Sequence, residues 1–346
     1  MIHNQIQIRR LTVRPPLFLA PMAGLTHSAL RTQLLAFGGV GLLSTEMLSA
    51  RRLPAENALT SPYLVRTPCE TPLSYQLLVT DSQELAPALA VLHRMGAESV
   101  DLNLGCPAPR VRLAGGGSSL MADPGKVRRL VAEARRRTDL PLTAKIRLGE
   151  ALDEGYLRNF CLMLAGEGID LLTVHARLRG EPFGRKPRWE WVGMVKDWLR
   201  IPVVANGGIC SVATARECLR TSGADGLMIG RAAPEKPWIF ADINREVFGL
   251  DSAPVEIDLP RVYLEMVTAL EERFSPERRL GRLKEFTHYF ARNYTFGHHL
   301  ATAVQSSGSV EEACNRALAF FARHASEGRP SRGCSTEGGR LSAGPG

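Results

Sequence analysis

Short, almost wholly apolar runs recur along the first 230 residues, roughly 25–35 residues apart, with segments of helical periodicity between them. Runs that are apolar on both faces are typical of parallel strands that helices cover on both sides. The pattern predicts eight strands, at residues 17–20, 42–45, 73–77, 99–103, 142–146, 171–175, 203–206 and 226–229.

The connecting segments carry signals for helix starts. Asp81, with Glu84 three residues later, resembles a capped start, and Ser211 is a suitable N-cap for a helix that runs through Leu219. The alternation of eight strands with helices predicts an α/β fold, a TIM (β/α)₈ barrel over residues 1–250.

The pattern changes after residue 250. Residues 251–258 have the composition of a linker, and apolar residues then recur only at helical spacing, as at Leu264, Val267 and Leu270. We therefore predict a small C-terminal helical domain over residues 258–325, packed on the barrel or on a partner. Residues 326–346 are polar and rich in Gly, Pro and Ser, which predicts a disordered tail.

The composition excludes several classes of protein. With 45% hydrophobic and 23% charged residues, the chain of 346 residues is typical of a soluble globular protein. No apolar run approaches the ~18 residues of a membrane helix, and the first residues contain no apolar signal-peptide core. We therefore expect a cytoplasmic protein without membrane contact. The seven cysteines include no Cys-x-x-Cys pair, so we expect neither a disulfide framework nor a metal site.

The net charge of the chain suits anionic binding partners. The net charge is +8, from 43 basic and 35 acidic residues, and most of the basic residues are arginines. Guanidinium groups suit contacts with phosphates and nucleic acids. A GC-rich genome, which encodes Arg in preference to Lys, would produce the same bias, and composition alone does not separate the two explanations.

Polar residues follow nearly every predicted strand. Because the carboxyl ends of barrel strands meet at one rim, where barrel enzymes place their active sites, these residues are predicted to lie together. They are Glu46, Gln76, Asn103, Cys106, Lys145, Arg147, His175, Arg177, Asn206 and Arg231. A barrel that served only as a scaffold would not need so many, so we expect a functional site at this rim.

Two features of the rim predict anion binding. Lys145 lies inside an apolar strand, where a cation is costly unless a negative group pairs with it, and we favour an anion-binding role over a structural ion pair. Gly207, Gly208, Gly230 and Arg231 follow the seventh and eighth strands, the usual phosphate site of such barrels. A glycine pair also forms common turns, but together with Arg231 it predicts a phosphate site.

Cys106 and His175 are the candidates for chemistry. Cys106 lies between Gly105 and Pro107, and the proline directs it into a loop at the rim beside Asn103. A buried, inert thiol is the commoner fate of a cysteine. At the rim we favour a catalytic role, because a thiol is largely protonated near neutral pH and can donate its proton. For His175 we favour a functional role over that of a hydrogen-bonded core histidine.

Several short motifs occur in a fixed order over about residues 15–245. The most specific is the Asn-x-Gly-Cys-Pro sequence at residues 103–107. The others are Ala20-Pro-Met-Ala-Gly24, Thr45-Glu-Met47, Gln76, Gly115-Gly-Gly-Ser118, Lys145-Ile-Arg-Leu-Gly149, His175-Ala-Arg177, Ala205-Asn-Gly-Gly208 and Met228-Ile-Gly-Arg231. In content and order these segments resemble the tRNA-dihydrouridine synthases, although most of the motifs are shared in part with other flavin-dependent barrels.

The resemblance implies an FMN-dependent oxidoreductase that takes electrons from NADPH or NADH and reduces the C5–C6 double bond of a uridine in tRNA. It implies that Cys106 protonates C5 of the uracil while hydride from reduced FMN reaches C6. The residues that it implies around FMN are Pro21, Met22, Ala23, Gln76, Lys145, His175, Asn206, Gly207, Gly208, Gly230 and Arg231. The substrate-binding residues that it implies are Asn103, Arg147 and Arg177.

The chain departs from the family at one segment, and other interpretations stay open. After the sixth strand, Phe183 and Trp189 match an aromatic-x-Gly-x-Ala-x-Trp pattern, but Arg185 and Pro187 replace its small residues. The predicted tRNA surface consists of the basic clusters at residues 177–188 and 278–284, and we expect a monomer. The alternatives are an FMN barrel enzyme that acts on a small molecule or on another RNA, and a non-catalytic RNA-binding protein on a relic barrel.

Overall fold

The structure, a computed structural model, describes residues 4–57, 60–250 and 256–324. In this part of the chain ten strands form two sheets. The smaller sheet contains β1 (Ile6–Ile8) and β2 (Leu11–Val13). The larger contains β3 (Leu17–Leu19), β4 (Leu43–Ser49), β5 (Leu73–Leu78), β6 (Ser99–Asn103), β7 (Leu142–Arg147), β8 (Leu171–His175), β9 (Val203–Asn206) and β10 (Gly226–Ile229).

The eight strands of the larger sheet are parallel and form a closed barrel. Neighbours pair in the order β4-β5-β6-β7-β8-β9-β10-β3, and a bridge between Phe18 and Leu42 closes the ring. Nearly all strand residues are buried, because helices cover the outside of the barrel and side chains fill its interior. The predicted barrel is confirmed.

Helices follow the strands and surround the barrel. They are α1 (Ser28–Phe37), α2 (Leu85–Arg94), α3 (Pro109–Leu113), α4 (Pro124–Arg137), α5 (Glu154–Gly166), α6 (Trp189–Trp198), α7 (Val212–Ser222), α8 (Ala232–Glu235) and α9 (Ile239–Ile243), which continues into a π-helical segment, Asn244–Phe248. Ser211 and Thr214 form a capping box at the start of α7. No helix among the described residues is long and apolar enough to cross a membrane.

One connection differs from the regular β/α alternation. Between β4 and β5 the described residues contain a short 3₁₀ helix, Leu53–Ala55, and no α-helix. The sequence explains the difference, because this connection contains four prolines, Pro54, Pro62, Pro68 and Pro72. Proline lacks the amide hydrogen that a helix interior needs. The segment instead forms an irregular wall beside the end of β4.

The N-terminal hairpin β1–β2 was not among the predicted strands. Ile6, Ile8 and Val13 are buried in a cluster with residues of the barrel interior, including Leu171 and Val204. The hairpin therefore closes the amino-terminal end of the barrel. Each of its strands has only three residues, which is too short for the alternation of apolar and polar residues to stand out in the sequence.

The C-terminal region consists of helices, as predicted. They are α10 (Leu259–Arg273), α11 (Arg279–Phe290), α12 (Gly297–Gln305) and α13 (Val310–Arg323). Tyr263, Phe286, Phe290 and Phe321 pack against one another in the core of this bundle. The bundle also packs on the barrel, where Gln33 Nε2 of α1 donates a hydrogen bond to the carbonyl oxygen of Val262 at 2.6 Å.

Most of the predicted linker and all of the predicted tail fall outside the residues that the structure describes. Residues 251–255 of the linker and the whole predicted tail, 326–346, fall outside the described residues. The helical region begins at Leu259, which Asp258 caps by accepting a hydrogen bond from the backbone N–H of Arg261. The division into a barrel domain, 1–250, and a helical domain, 258–325, stays a prediction.

Candidate active site

Four buried side chains on β5, β6 and β7 form a continuous line of hydrogen bonds. The Thr143 hydroxyl donates to Asp101 Oδ1, and Gln76 Nε2 donates to Asp101 Oδ2, both at 2.6 Å. Asn103 Nδ2 in turn donates to Gln76 Oε1 at 2.8 Å. Because a carboxylate can only accept, Asp101 fixes the orientation of both amides. We call Thr143, Asp101, Gln76 and Asn103 the polar chain.

The polar chain ends at the loop that carries Cys106. Asn103 Oδ1 accepts hydrogen bonds from the backbone N–H groups of Gly105 (3.2 Å) and Cys106 (2.9 Å). The carbonyl oxygen of Cys106 accepts from Ser118 N–H at 2.9 Å. Cys106 is a free, half-buried thiol. The fold therefore presents this thiol from a loop that is fixed on both sides.

Asp101 is a residue to which the sequence analysis assigned no role. Burial raises the pKa of Asp101, while its hydrogen bonds from Gln76 and Thr143 and the charge of Lys145 lower it. An acidic residue in the middle of an apolar run was the available signal. Its geometry shows a positioning role, because it orients the amides that hold the Cys106 loop.

Lys145 lies in β7, where it pairs in register with Asn103 of β6. Among the described residues no carboxylate forms an ion pair with it. Burial and the nearby charge of Arg147 lower the pKa of Lys145 to about 8, and the charges of Asp101 and Cys106 oppose this shift. The structural ion pair that we weighed as the alternative is absent from the described chain. An anionic ligand would supply the missing counter-charge.

Three arginines, together with Lys145, lie near His175 at the same rim. Burial lowers the pKa values of Arg147 and Arg231, and burial together with the charges of Arg231 and Arg147 lowers the pKa of Arg177 to about 10. In the described part of the chain none of the three pairs with a carboxylate within ion-pair distance. We call Lys145, Arg147, Arg177 and Arg231 the cation cluster; its composition suits a phosphate or another polyanion.

His175 lies in the cation cluster as a neutral imidazole. Burial, followed by the charges of Lys145 and Arg147, lowers the pKa of His175 well below its usual value. Its Nε2 lies 3.0 Å from Arg177 Nη1. Because an arginine can only donate, Nε2 accepts this hydrogen bond and the ring proton resides on Nδ1.

The backbone after β9 packs closely against His175 and Pro187. Gly207 has φ +108°, and a Cβ at this position would lie 2.7 Å from His175 Cδ2. Gly208 has φ +74°, where a Cβ would lie 2.8 Å from the Pro187 ring. Both positions therefore require glycine, for conformation and for space. Trp189 Nε1 supports the turn by donating to the carbonyl oxygen of Gly207 at 2.9 Å.

Asn206 and Gly230 complete this side of the rim. Asn206 Nδ2 donates to the carbonyl oxygen of Met228 at 2.7 Å and so connects β9 with β10. A Cβ at Gly230 would lie 3.6 Å from Met22 Sδ, which brings the ends of β10 and β3 together. Met22 thus lies beside the end of β10.

The loop between β8 and α6 folds over the rim. Phe183 stacks on His175 with ring centroids 6.0 Å apart, and the guanidinium of Arg231 lies 4.6 Å from the centre of the Phe183 ring. Arg188 donates two hydrogen bonds to Glu181, which lowers the pKa of Glu181 to about 2. The loop is therefore ordered despite its departure from the family pattern. Sequence reasoning gave Phe183 no role at the site.

The two predicted basic surfaces differ. Arg185 and Lys186 are exposed on the β8–α6 loop. In the second cluster, Arg279 is tied to the end of α10, because it donates to the carbonyl oxygens of Phe274 and Glu271, and the Arg282 guanidinium lies 4.4 Å from the Phe274 ring centre. Arg279 and Arg282 therefore hold the α10–α11 corner, whereas Arg278 of the same cluster is exposed. No metal-binding group of His, Cys, Asp and Glu occurs in the described residues.

The comparisons with known proteins agree with this geometry. A sequence model of the family described as "Dihydrouridine synthase (Dus)" matches residues 18–322. The tRNA-dihydrouridine(16) synthase of Pseudomonas putida is 35% identical over 285 residues, which cover 80% of this chain and 88% of the relative. The tRNA-dihydrouridine synthase B of the same organism is 31% identical over 320 residues, 92% of this chain and 95% of the relative.

A solved structure supports the fold. A 2-naphthoyl-CoA reductase in complex with 2-naphthoyl-CoA superimposes with a TM-score of 0.53 at 12% identity, covering 72% of this chain and 53% of that one. At this identity the likeness concerns the fold alone. The family that the motifs predicted is confirmed by the sequence comparisons: this chain belongs to the dihydrouridine synthase family.

Proposed function

We propose that the protein reduces the C5–C6 double bond of a uridine in tRNA to 5,6-dihydrouridine, with FMN as resident cofactor and NADPH or NADH as reductant. The observation that carries the proposal is the fixed Cys106 thiol on the same rim as the unpaired cation cluster. A proton donor beside a site for an anionic cofactor is the arrangement that this reduction needs. Family membership supports the same reaction, and we propose a cytoplasmic monomer.

The residues present fit FMN. The glycine turn at Gly207 and Gly208, together with Gly230 and Arg231, would form a cradle for its phosphate. Lys145 and Gln76 would face the polar edge of the flavin ring, and Lys145 would offset the negative charge of the reduced ring. His175, held neutral with its proton on Nδ1, would donate a hydrogen bond without adding charge. When bound, FMN supplies the hydride for C6 of uracil.

Cys106 would transfer its proton to C5 of the uracil from the face opposite the flavin. Asn103 would contact the uracil: its Oδ1 accepts two backbone N–H groups and one hydrogen of its Nδ2 goes to Gln76. The second hydrogen of Nδ2 is then available for a uracil carbonyl oxygen. Arg147 and Arg177 would bind the phosphates of the target nucleotide.

The substrate base must leave its stack to reach this opening, which suits the loops of tRNA. Arg185 and Lys186, exposed beside the opening, would contact the tRNA backbone. The test is dihydrouridine formation, measured by mass spectrometry after incubation of the purified protein with FMN, NADPH and unmodified tRNA. Dihydrouridine at one position supports the proposal. A flavin-loaded protein that oxidises NADPH and leaves every uridine unchanged would reject tRNA as its substrate.

A further inference from the structure

A cavity of about 770 Å³ lies between the barrel and the helical region. Its walls come from the end of β3, the end of β4, the irregular β4–β5 connection and α11. Ala23 and Gly24 line it, and they directly follow the residues proposed to border the flavin. The cavity therefore adjoins the active site, and no residue of the proposed reaction machinery except Ala23 lines it.

Glu46 offers this cavity a buried acceptor without a partner. The pairing of β4 with β5 shifts register between Ser44 and Met47, a bulge that turns Glu46 out of the regular strand pattern. Glu46 Oε2 accepts a hydrogen bond from Gly24 N–H at 2.5 Å. Its Oε1 is buried and has no hydrogen-bond partner in the described structure. Glu46 lines the cavity although only 4% of it is exposed.

Arg282 of α11 offers the same cavity a donor without a partner. Its Nη1 donates to the carbonyl oxygen of Arg278 at 2.8 Å, and its guanidinium packs over Phe274. Its Nε is buried and has no hydrogen-bond partner among the described residues. Burial raises the pKa of Glu46, and the nearby charge of Arg282 opposes this shift, yet the two side chains do not form an ion pair in the described structure. Two residues with an unpartnered buried polar atom, one an acceptor and one a donor, thus line the same cavity from two different parts of the molecule.

We propose that this cavity binds the base of a nucleotide next to the target uridine, with Glu46 accepting from a base N–H and Arg282 donating to a neighbouring base oxygen or nitrogen. The proposal rests on the proposed function. A nucleobase edge presents such a donor beside an acceptor, and both buried atoms then gain the partner that they lack. Tyr63 on the wall offers an aromatic face for stacking.

The charges of the wall favour a base over a second phosphate-bearing cofactor. The carboxylates of Glu46, Glu56, Glu277 and Glu285 line the cavity together with three arginines, Arg52, Arg278 and Arg282. A diphosphate would meet these carboxylates at close range, whereas a base is neutral. The opening is large enough for one nucleotide, since ligand cavities of several hundred Å³ hold molecules of that size.

The test compares Glu46→Gln with Glu277→Gln in the full chain loaded with FMN, using an unmodified tRNA transcript and filter binding. The glutamine keeps an oxygen for Gly24 N–H and turns an amide hydrogen toward the cavity. Both variants remove one negative charge, which by itself tightens RNA binding. We expect Glu46→Gln to bind the transcript roughly tenfold more weakly than wild type, because a hydrogen bond to a charged group is lost, and Glu277→Gln to bind at least as tightly as wild type.

A second comparison identifies the base. Transcripts with an abasic nucleotide on the 5′ or the 3′ side of the reduced uridine are bound by wild type and by Glu46→Gln. At one of the two positions the affinity difference between the proteins should shrink to within about twofold, because the variant and the missing base remove the same contact. Equal differences at both positions would overturn the assignment of the cavity to a neighbouring base.

The outcomes separate this proposal from the proposed function. If dihydrouridine forms, and wild type and Glu46→Gln bind tRNA with equal affinity, the base site is overturned and the proposed function stands. If, in that case, Glu46→Gln raises the KM for NADPH, the cavity is assigned to the reductant. A Glu46-dependent affinity without dihydrouridine overturns the reaction alone. Glu46→Gln could lose FMN because the Gly24 loop moves. In that case Arg282→Lys, which removes the Nε donor and keeps the charge, is used in its place. If Arg282→Lys then binds tRNA as tightly as wild type, the proposal fails.

Discussion

The two halves of the barrel rim differ in whether their polar side chains have hydrogen-bond or ion-pair partners. On β5 and β6 the polar chain satisfies its members in sequence, from Asp101 through Gln76 to Asn103 and the Cys106 loop. On β7, β8 and the end of β10 the cation cluster holds four cations, and none of them has a carboxylate partner in the described chain. We call the half on β5 and β6 the complete half, because its polar groups have partners without a ligand. We call the other the incomplete half, because its cations have no counter-charge.

This difference indicates what each half does. A satisfied buried network is rigid and can hold a reacting group in place. Unpaired cations at close range destabilise the fold, so their presence is explained by an anion that binds among them. We therefore propose that the complete half positions the proton donor and that the incomplete half binds the cofactor and the substrate phosphates. The following substitutions test this division.

The largest effect is expected where the complete half meets the substrate. Cys106→Ala removes the proton donor, so the rate of dihydrouridine formation should fall by a factor on the order of 10²–10⁴, while FMN content stays at the wild-type level. Cys69→Ala, which removes an exposed free thiol elsewhere, is the matched control and should leave the rate unchanged. A Cys106→Ala rate within a few-fold of wild type would remove the thiol from the mechanism.

Asp101 tests whether orientation or charge matters in the polar chain. In Asp101→Leu, Gln76 loses the acceptor that fixes its amide, so kcat should fall roughly 10–100-fold with FMN still bound. In Asp101→Asn the amide oxygen still accepts from Gln76, and the Thr143 hydroxyl can reverse to accept from the new NH₂ group. Its kcat should stay within about threefold of wild type. Equal losses in both variants would show that the charge of Asp101 is needed.

The sequence was sufficient to predict the frame on which this division is built. Apolar strands with polar ends locate the rim, and a rim collects residues that are far apart in sequence, such as Lys145, His175 and Arg231. The capped start of α7 follows from Ser211 in the same way, because a cap is a local interaction. These predictions needed only patterns of neighbouring residues.

The contacts that cross between elements could not be predicted. The bulge that aims Glu46 at a cavity arises from the register of β4 against β5, and the stacking of Phe183 on His175 depends on the path of a loop that is held by Glu181 and Arg188. Neither leaves a periodic signal in the sequence. Pairing partners of buried polar groups, such as those of Asp101, likewise appear only after the strands are in register.

A smaller effect is expected for one cation of the incomplete half. Lys145→Met should weaken FMN binding about tenfold, because a charge-assisted contact is lost, as measured by titration of the apoprotein with FMN. Lys196→Met is the control, since Lys196 pairs with Asp225 on the outside of the barrel. Wild-type FMN affinity and wild-type NADPH oxidation in Lys145→Met would contradict the anion-binding assignment.

The same residue gives the apoprotein a pH signature. The pKa of Lys145 is about 8 in the fold against an ordinary 10.5, so between these values the unfolded chain binds more protons than the folded one. The free energy of unfolding should therefore rise with pH from about 8 to 10.5, relative to Lys145→Met, by about 1–3 kcal/mol. Urea denaturation of both apoproteins across this range measures it. A difference between the two proteins that is independent of pH would contradict a desolvated, unpaired Lys145.

The smallest effect is expected where the incomplete half reaches the surface. Arg185→Gln combined with Lys186→Gln removes two exposed cations beside the opening, so tRNA affinity should fall a few-fold at low salt and less at high salt, and the slope of log affinity against log salt should lose roughly 1.5–2 units. Arg136→Gln with Arg137→Gln is the matched control. These arginines lie in the last turn of α4 and pair with Glu133, at the opposite end of the barrel because helix and strand run antiparallel. Equal salt slopes in the two double variants would place the RNA surface elsewhere. The incomplete half would then be assigned to the cofactor alone.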